Sequence, residues 1–236
     1  MRRYTEAVYE KYDIFLFDAD GTLFNFDKAE VNAFTAMCGN YGIAYMETIL
    51  QNYREISAEL WDSFEKGIIT SKELQESRFA RLFDYLGVYH DAMEFNRKYL
   101  RELGKGAFLI DGALKICEYI ASRNKKIYII TNGITVTQTS RLNNSRIKNF
   151  VSDLFVSESV GFQKPHISYF DYVLSHIPQV EKDKLLIVGD SLTADIQGGY
   201  NAGIDTCWFN AIGAVNHTGI SPMYEVRELV EVKKFV

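Results

Sequence analysis

The sequence predicts an α/β fold: a parallel sheet with helices on both faces, interrupted early by a helical insertion. Three observations carry this. Apolar runs at 14–17, 127–130 and 185–188 each end in a polar turn, the mark of strands buried on both faces. From about Gly106 helical stretches alternate with β-rich runs, which demands right-handed crossovers between parallel strands. The first two of those strands lie more than a hundred residues apart, far beyond an ordinary crossover.

The first strand, Ile14-Phe15-Leu16-Phe17, runs straight into Asp18-Ala19-Asp20-Gly21-Thr22. Two carboxylates there need a cation or a solvated turn, because burying ionised carboxylates unpaired is prohibitively costly. The insertion that follows is helical. Val31, Phe34, Cys38 and Tyr41 recur at helical spacing, with Gly42 as a left-handed cap. Ile49, Tyr53, Ile56, Leu60 and Phe64 form a second stripe ended by Gly67. Thr70-Ser71-Lys72-Glu73 fits a capping box, and Phe79, Leu82, Phe83 and Leu86 lead to Gly87. Ala92, Phe95, Tyr99 and Leu103 make a fourth stripe, closed by Gly104. Four amphipathic helices on short loops form a small bundle. Most of Trp61, Phe64, Phe79 and Phe83 are read as its packing.

After the insertion comes a helix at 113–123, then the strand at 127–130, which ends in Thr131-Asn132-Gly133. A helix at 134–143 and a short strand at 154–156 follow. Gly161-Phe162-Gln163-Lys164-Pro165 sets one lysine in a loop, and Pro165 opens a helix at 166–177 as a first-turn residue. The strand at 185–188 ends in Gly189-Asp190-Ser191, with Asp195 close behind. A helix at 193–201 and a last strand at 206–209 complete the chain. The strand ends thus supply carboxylates for a hard cation, donors for an oxyanion and one positive charge.

Composition narrows the class. The chain has 236 residues, 47% of them hydrophobic, enough for one large domain or a core plus a smaller one. Net charge is −5, and no Lys/Arg cluster is long enough to track a nucleic-acid polymer. Cys38, Cys117 and Cys207 are widely separated and odd in number, so they read as reduced, buried thiols of a cytoplasmic protein. Met1-Arg2-Arg3 is followed by Tyr4-Thr5-Glu6 rather than an apolar run, so no signal peptide is expected. No stretch approaches the roughly 20 apolar residues of a membrane span. His90, His166, His176 and His217 lack ligand spacing and read as surface or structural.

The motifs Asp-x-Asp-Gly-Thr, Thr-Asn-Gly, Lys-Pro and Gly-Asp-x4-Asp, in that order, resemble the haloacid dehalogenase (HAD) superfamily of phosphotransferases. The resemblance implies a Rossmann-like core over residues 1–23 and 106–236, with a C1-type helical cap over 24–105. It implies that Asp18 is a nucleophile forming an aspartyl phosphate and that Asp20 is the general acid. Asp18, the backbone carbonyl of Asp20 and Asp190 then look like the ligands of Mg²⁺. The Thr131 hydroxyl and the Asn132 N–H are placed to bind phosphoryl oxygens. Lys164 should touch both Asp18 and the phosphate. Asp195 has two readings: an outer group that orients Lys164 or a water on the cation, or an acid favoured at a helix N-terminus.

Asp20 narrows the chemistry further. Dehalogenase members of the superfamily lack an acid two residues after the nucleophile, because halide leaves without a proton. Phosphonatase members use a cap lysine and lack it too. Its presence favours phosphate monoester transfer, with water the expected acceptor and a sugar phosphomutase left open. Longer stretches resemble the YjjG-like pyrimidine 5′-nucleotidases of bacteria, among them Thr22-Leu23-Phe24-Asn25-Phe26-Asp27 and Asn201-Ala202-Gly203-Ile204-Asp205-Thr206-Cys207-Trp208. This implies a small-molecule phosphate ester as partner, a pyrimidine nucleoside monophosphate above all. Phe24 and Phe26, just past the catalytic turn, are candidate substrate contacts, with packing as the alternative. One departure is Leu109-Ile110-Asp111-Gly112, where the family usually has proline before the glycine. Two rival functions stand beside this one. A phosphatase for small sugar phosphates or phosphoglycolate would share the core. A phospho-aspartate binding module would need neither Asp20 nor a cap. Oligomeric state is not legible in the chain.

Overall fold

A computed structural model describes residues 11–178 and 181–236. The stretch from Met1 to Glu6, read above for a leader, lies outside them. Among the described residues the chain forms two compact units: one holds the residues up to Phe24, Leu109–Asn132 and Ser145–Val236, the other Asn25–Phe108 and Gly133–Asn144.

The first unit is built on a sheet of β1 (Ile14–Phe17), β2 (Lys126–Thr131), β3 (Val151–Val156), β4 (Leu185–Gly189), β5 (Asp205–Phe209) and β6 (Tyr224–Val226). All pairings are parallel, in the order β3-β2-β1-β4-β5-β6. Both faces are covered, which is why these strands read as unbroken apolar runs rather than alternating ones. Ile14, Leu16, Ile130 and Ile187 pack on one side with Tyr169, Phe170 and Val173. Their neighbours Phe15, Phe17, Ile129 and Val188 are buried as well. The strand order reverses between β1 and β4, the switch point outside whose carboxyl ends ligands bind in open α/β sheets. Register levels the strand ends, since Phe17 lies opposite both Ile129 and Val188.

The sheet is longer than the sequence predicts. The strand at 206–209 is not the last, because β6 pairs beside it through Cys207 and Tyr224, and a 3₁₀ segment, Leu229–Phe235, follows. Three residues are too few to show a period, so β6 is set by its partner and not by its own pattern.

The second unit contains α1 (Phe26–Asn40), α2 (Glu47–Glu65), α3 (Ser71–Leu86) and α4 (Ala92–Gly104). The Asn25 side chain caps α1 by accepting from the Lys28 N–H at 2.9 Å. The capping box is formed in both directions between Thr70 and Glu73. Gly87 is left-handed at φ 63°, a conformation glycine adopts without penalty. The aromatic stripes converge on one core that includes Phe34, Tyr53, Phe79, Phe83, Phe95 and Tyr99, with Tyr53 and Phe79 stacked at 5.0 Å. Each such ring contributes roughly 1.5–3 kcal/mol by leaving water.

Two expectations change here. Gly104 does not close α4 as a cap; it is helical, and a Cβ there would stand 3.0 Å from the Ser140 Cβ. The reason for that glycine is close approach to α6 (Thr135–Asn143). This helix, expected with the sheet, groups with the bundle instead. Thr137 Oγ1 donates to the Leu100 carbonyl at 3.0 Å, and Arg141 Nε to that of Gly106 at 3.2 Å.

The remaining helices belong to the sheet unit: α5 (Ala113–Ser122), α7 (Ser157–Val160), α8 (Ile167–His176) and α9 (Gln197–Ala202). Pro165 is not in the first turn of α8. His166 is the N-cap, its ring accepting from the Ser168 N–H at 3.2 Å. The helix expected at 193–201 is split into a π-type turn, Leu192–Ile196, and α9. Such wide turns recur at functional sites, and this one carries Asp195. The three cysteines are free and buried. Among the described residues no helix is long and apolar enough to cross a membrane.

Candidate functional site

Asp18 is the first residue past β1, and its N–H donates to the Val188 carbonyl at 2.9 Å. That bond carries the parallel ladder one step beyond the strand and fixes the carboxylate at the switch point. The chain then turns sharply. The N–H groups of Leu23 and Phe24 both return to the Ala19 carbonyl, at 3.0 and 2.8 Å. Gly21 is required twice over: its φ is +84°, and a Cβ would stand 2.3 Å from Asp190 Oδ2. Buried Thr22 donates to Asp190 Oδ1 at 3.4 Å. Asp20 stands in this turn, half-buried. From β5, Trp208 Nε1 holds the Asp190 carbonyl at 2.9 Å.

Lys164 is only 2% exposed. Its ammonium donates to Asp18 Oδ1 at 2.7 Å, Asp195 Oδ1 at 2.6 Å and the Ile130 carbonyl at 3.0 Å, which uses all three protons. Its backbone is clipped to Asn132. The Asn132 side chain donates to the Lys164 carbonyl at 2.9 Å and accepts from the Lys164 N–H at 2.8 Å. That task for the amide side chain is not foreseen in the sequence, where only the Asn132 N–H has a role. Thr131 is buried beside it at the end of β2. Both oxygens of buried Asp195 are engaged, Oδ1 by Lys164 and Oδ2 by the Ser191 N–H at 3.1 Å. Its carboxylate therefore orients Lys164 and ties down the loop after β4.

Asp18, Asp190 and Asp195 bring carboxylate oxygens within 4.8 Å of one another. One ammonium bonds two of them, Asp18 and Asp195. Burial pushes the Asp18 carboxyl well above its ordinary range; Lys164 pulls it back, and Asp195 and Asp190 push it further up. Burial also works against the Lys164 charge, yet Asp18 and Asp195 outweigh it and hold the ammonium above its usual range. Asp190 is exposed by surface area but closely surrounded by protein, and burial followed by the Asp195 charge raises it to about 7. The cluster is short of positive charge. Asp18 Oδ2 is buried without a hydrogen-bond partner, an arrangement that is costly unless something else binds there. Together with Asp190 it forms an all-oxygen set, which fits a hard divalent cation such as Mg²⁺ that keeps several waters.

This has a measurable consequence. Between its ordinary value of 3.8 and about 7, Asp190 holds a proton in the folded state that the unfolded chain has released. Without a cation, stability should therefore fall as pH rises through that window and level off above it. In EDTA, the melting temperature of Asp190→Asn should drop less than that of the wild type between pH 5 and 7.5. The exposure of Asp190 limits the difference to a few degrees. Parallel melting curves for the two proteins would contradict the electrostatic account of the cluster.

Not every sequence-predicted residue stands with this group. Phe24 is 1% exposed and its backbone bridges Leu109, so its ring is placed for packing. Phe26 packs against the core of the helical unit. Three of the histidines have ring partners: His176 stacks on Tyr172, His166 stacks on Phe162, and His90 meets Tyr41 edge-on. Two residues that the motifs do not flag do reach the site. Trp208 is one. The other is Tyr169, whose hydroxyl accepts from the Thr131 N–H at 3.0 Å. In sequence a tyrosine on the buried stripe of a helix looks like core, and its polar end gives no periodic signal.

Comparison with known proteins agrees with this architecture. A family model for haloacid dehalogenase-like hydrolases matches residues 15–209. YfnB of Bacillus subtilis is 40% identical over 94% of both chains. A crystal structure of YfnB bound to magnesium aligns with a TM-score of 0.87, covering 94% of this chain and 97% of that one. The pyrimidine 5′-nucleotidase PynA of Streptococcus pneumoniae is 38% identical over 91% of both chains. The pyrimidine 5′-nucleotidase YjjG of Escherichia coli is 33% identical, over 96% of this chain and 98% of its own.

Proposed function

Because this chain belongs to the haloacid dehalogenase-like hydrolases, we propose that it hydrolyses phosphate monoesters, pyrimidine nucleoside 5′-monophosphates above all, through a covalent intermediate on Asp18. The observation that carries the chemistry is the buried, unpartnered Oδ2 of Asp18 next to an oxygen fixed by Lys164. One carboxylate oxygen is anchored, and the other is left for reaction or coordination.

Mg²⁺, held by Asp18, Asp190 and the Asp20 carbonyl, would supply the charge that lets a carboxylate meet a phosphate dianion. The Thr131 hydroxyl and the Asn132 N–H bind the phosphoryl oxygens and fix them in line with Asp18, while Lys164, whose three protons are taken, adds its positive charge beside them. Asp18 attacks phosphorus, and Asp20 gives its proton to the departing alkoxide. The same Asp20 carboxylate then takes a proton from the water that hydrolyses the aspartyl phosphate, which restores Asp18 and frees phosphate. Lys164 keeps its position throughout, because Asp195 holds it from behind. The three buried thiols fit a cytoplasmic location for such an enzyme.

Preference for pyrimidines rests on likeness to PynA and YjjG. Part of the chain also resembles a glyceraldehyde 3-phosphate phosphatase of Pyrococcus abyssi, 31% identical over 56% of this chain, which supports the sugar-phosphate reading. A panel of nucleoside monophosphates and small sugar phosphates, assayed with Mg²⁺, separates the two. We expect UMP, dUMP or dTMP to exceed AMP and GMP in kcat/KM by about tenfold or more, since each lost or clashing ring contact changes binding by about 1–3 kcal/mol. Sugar phosphates turning over faster than every nucleotide would overturn the nucleotidase reading and leave the phosphatase chemistry standing.

A further inference from the structure

The end of β2 is held by an unusual set of bonds. Register places Thr131 opposite Val156. In a parallel ladder the Thr131 N–H is then aimed at the carbonyl of the preceding residue, Phe155. The Tyr169 hydroxyl is hydrogen bonded to both of those groups, accepting from the Thr131 N–H at 3.0 Å and donating to the Phe155 carbonyl at 2.8 Å. The other face of the same peptide is held too, since the Ile130 carbonyl accepts from Lys164 Nζ at 3.0 Å. A continuous relay results: Lys164 ammonium, the peptide joining Ile130 to Thr131, Tyr169 hydroxyl, Phe155 carbonyl. Bonds in such a chain polarise and strengthen one another.

We infer that Tyr169 is a positioning residue for phosphoryl binding: its hydroxyl, inserted at the last rung between β2 and β3, sets where Thr131 and Asn132 stand relative to Asp18. This rests on the phosphatase reading above. A buried tyrosine needs some partner for its hydroxyl, and any carbonyl nearby would serve. Tyr169 instead bonds the two groups whose spacing decides how far β2 reaches toward β3. The residue is fully buried, and burial holds its hydroxyl above the ordinary range, so it stays a donor at all working pH values. Phenylalanine at this position lets the strand ends close on each other and draws the Thr131 peptide away from the ammonium.

The test is Tyr169→Phe, read by inhibition with inorganic phosphate, by kcat/KM on p-nitrophenyl phosphate and by half-saturating Mg²⁺. The Ki for phosphate should rise about three- to tenfold, the worth of one well-placed hydrogen bond. The kcat/KM should fall by about tenfold or more, because small displacements of a binding group are amplified in the transition state. Half-saturating Mg²⁺ should stay within about twofold of the wild type, since Tyr169 touches neither Asp18 nor Asp190. In a Thr131→Ala background the effect on Ki should shrink. Should the phenylalanine variant not fold, site-specific 3-fluorotyrosine keeps the shape and weakens the hydroxyl as an acceptor, and it should raise Ki in the same sense. Wild-type Ki and kcat/KM in a phosphate-inhibited enzyme, even with a lowered melting temperature, overturn this inference alone. Absence of phosphate inhibition and of turnover in the wild type overturns the phosphatase reading and the inference with it.

Discussion

Asp18→Asn is expected to reduce kcat by about 10⁴-fold or more, the scale seen when a covalent nucleophile is removed. The amide keeps the shape and can still accept from Lys164 at Oδ1. It has no anionic oxygen to attack phosphorus or to bind a cation. Folding should survive the change. Burial works against the Asp18 charge more than any neighbour does, with Asp195 and Asp190 adding to it, so replacing that charge with a neutral amide removes a desolvation cost. The variant should therefore melt no lower than the wild type in EDTA. Acid-quenched wild type should also carry an alkali-labile acyl phosphate that the variant lacks. A purified variant with a tenth of the wild-type kcat would remove Asp18 from the mechanism.

Asp20→Asn is expected to lower kcat by about 10²–10⁴-fold on nucleotides, the usual contribution of a positioned general acid. The loss should be smaller for p-nitrophenyl phosphate, whose leaving group departs without needing a proton. That contrast requires phosphorylation of Asp18 to limit the rate, which the absence of a pre-steady-state burst of leaving group would show. Equal losses for good and poor leaving groups, with no burst, would reduce Asp20 to a backbone ligand whose side chain only shapes the turn. Its placement favours the first outcome. Asp20 stands half-buried in the turn after β1, outside the cluster of Asp18, Asp190 and Asp195.

Much of the candidate site is legible in the sequence, for a physical reason. Asp18 and Asp190 end strands that are otherwise wholly apolar, and a charge in that position needs a reason of its own. What places them is local: a buried run, a turn, a glycine. The rest depends on groups far apart in the chain. Asp195 has two readings in sequence, and the contact that orients Lys164 is made only when the turn after β4 meets the loop before α8. Trp208 and Tyr169 look like core residues, because their rings are core and only their polar tips reach the site. Gly104 shows the same limit in the fold. A glycine at a helix end reads as a cap, and only the presence of Ser140 against it explains why nothing larger is there. The grouping of α6 with the bundle follows from that contact and is likewise invisible to periodicity.

The position of the insertion also bears on how the chain comes to be folded at all. β1 is made first, but its sheet neighbours β2 and β4 begin only at Lys126 and Leu185. At about 5–20 residues per second, roughly 5–20 s of synthesis separate β1 from its first partner. During that interval the apolar strand Ile14–Phe17 has nothing to pair with, while α1 to α4 can associate through contacts near in sequence, which form quickly. Closing so long an excursion adds little free energy, about 0.6 kcal/mol for each doubling of its length. The burden of the insertion is thus kinetic: a nascent chain with four helices associated, α6 still to come, and an orphaned hydrophobic strand, the species in which aggregation competes with folding.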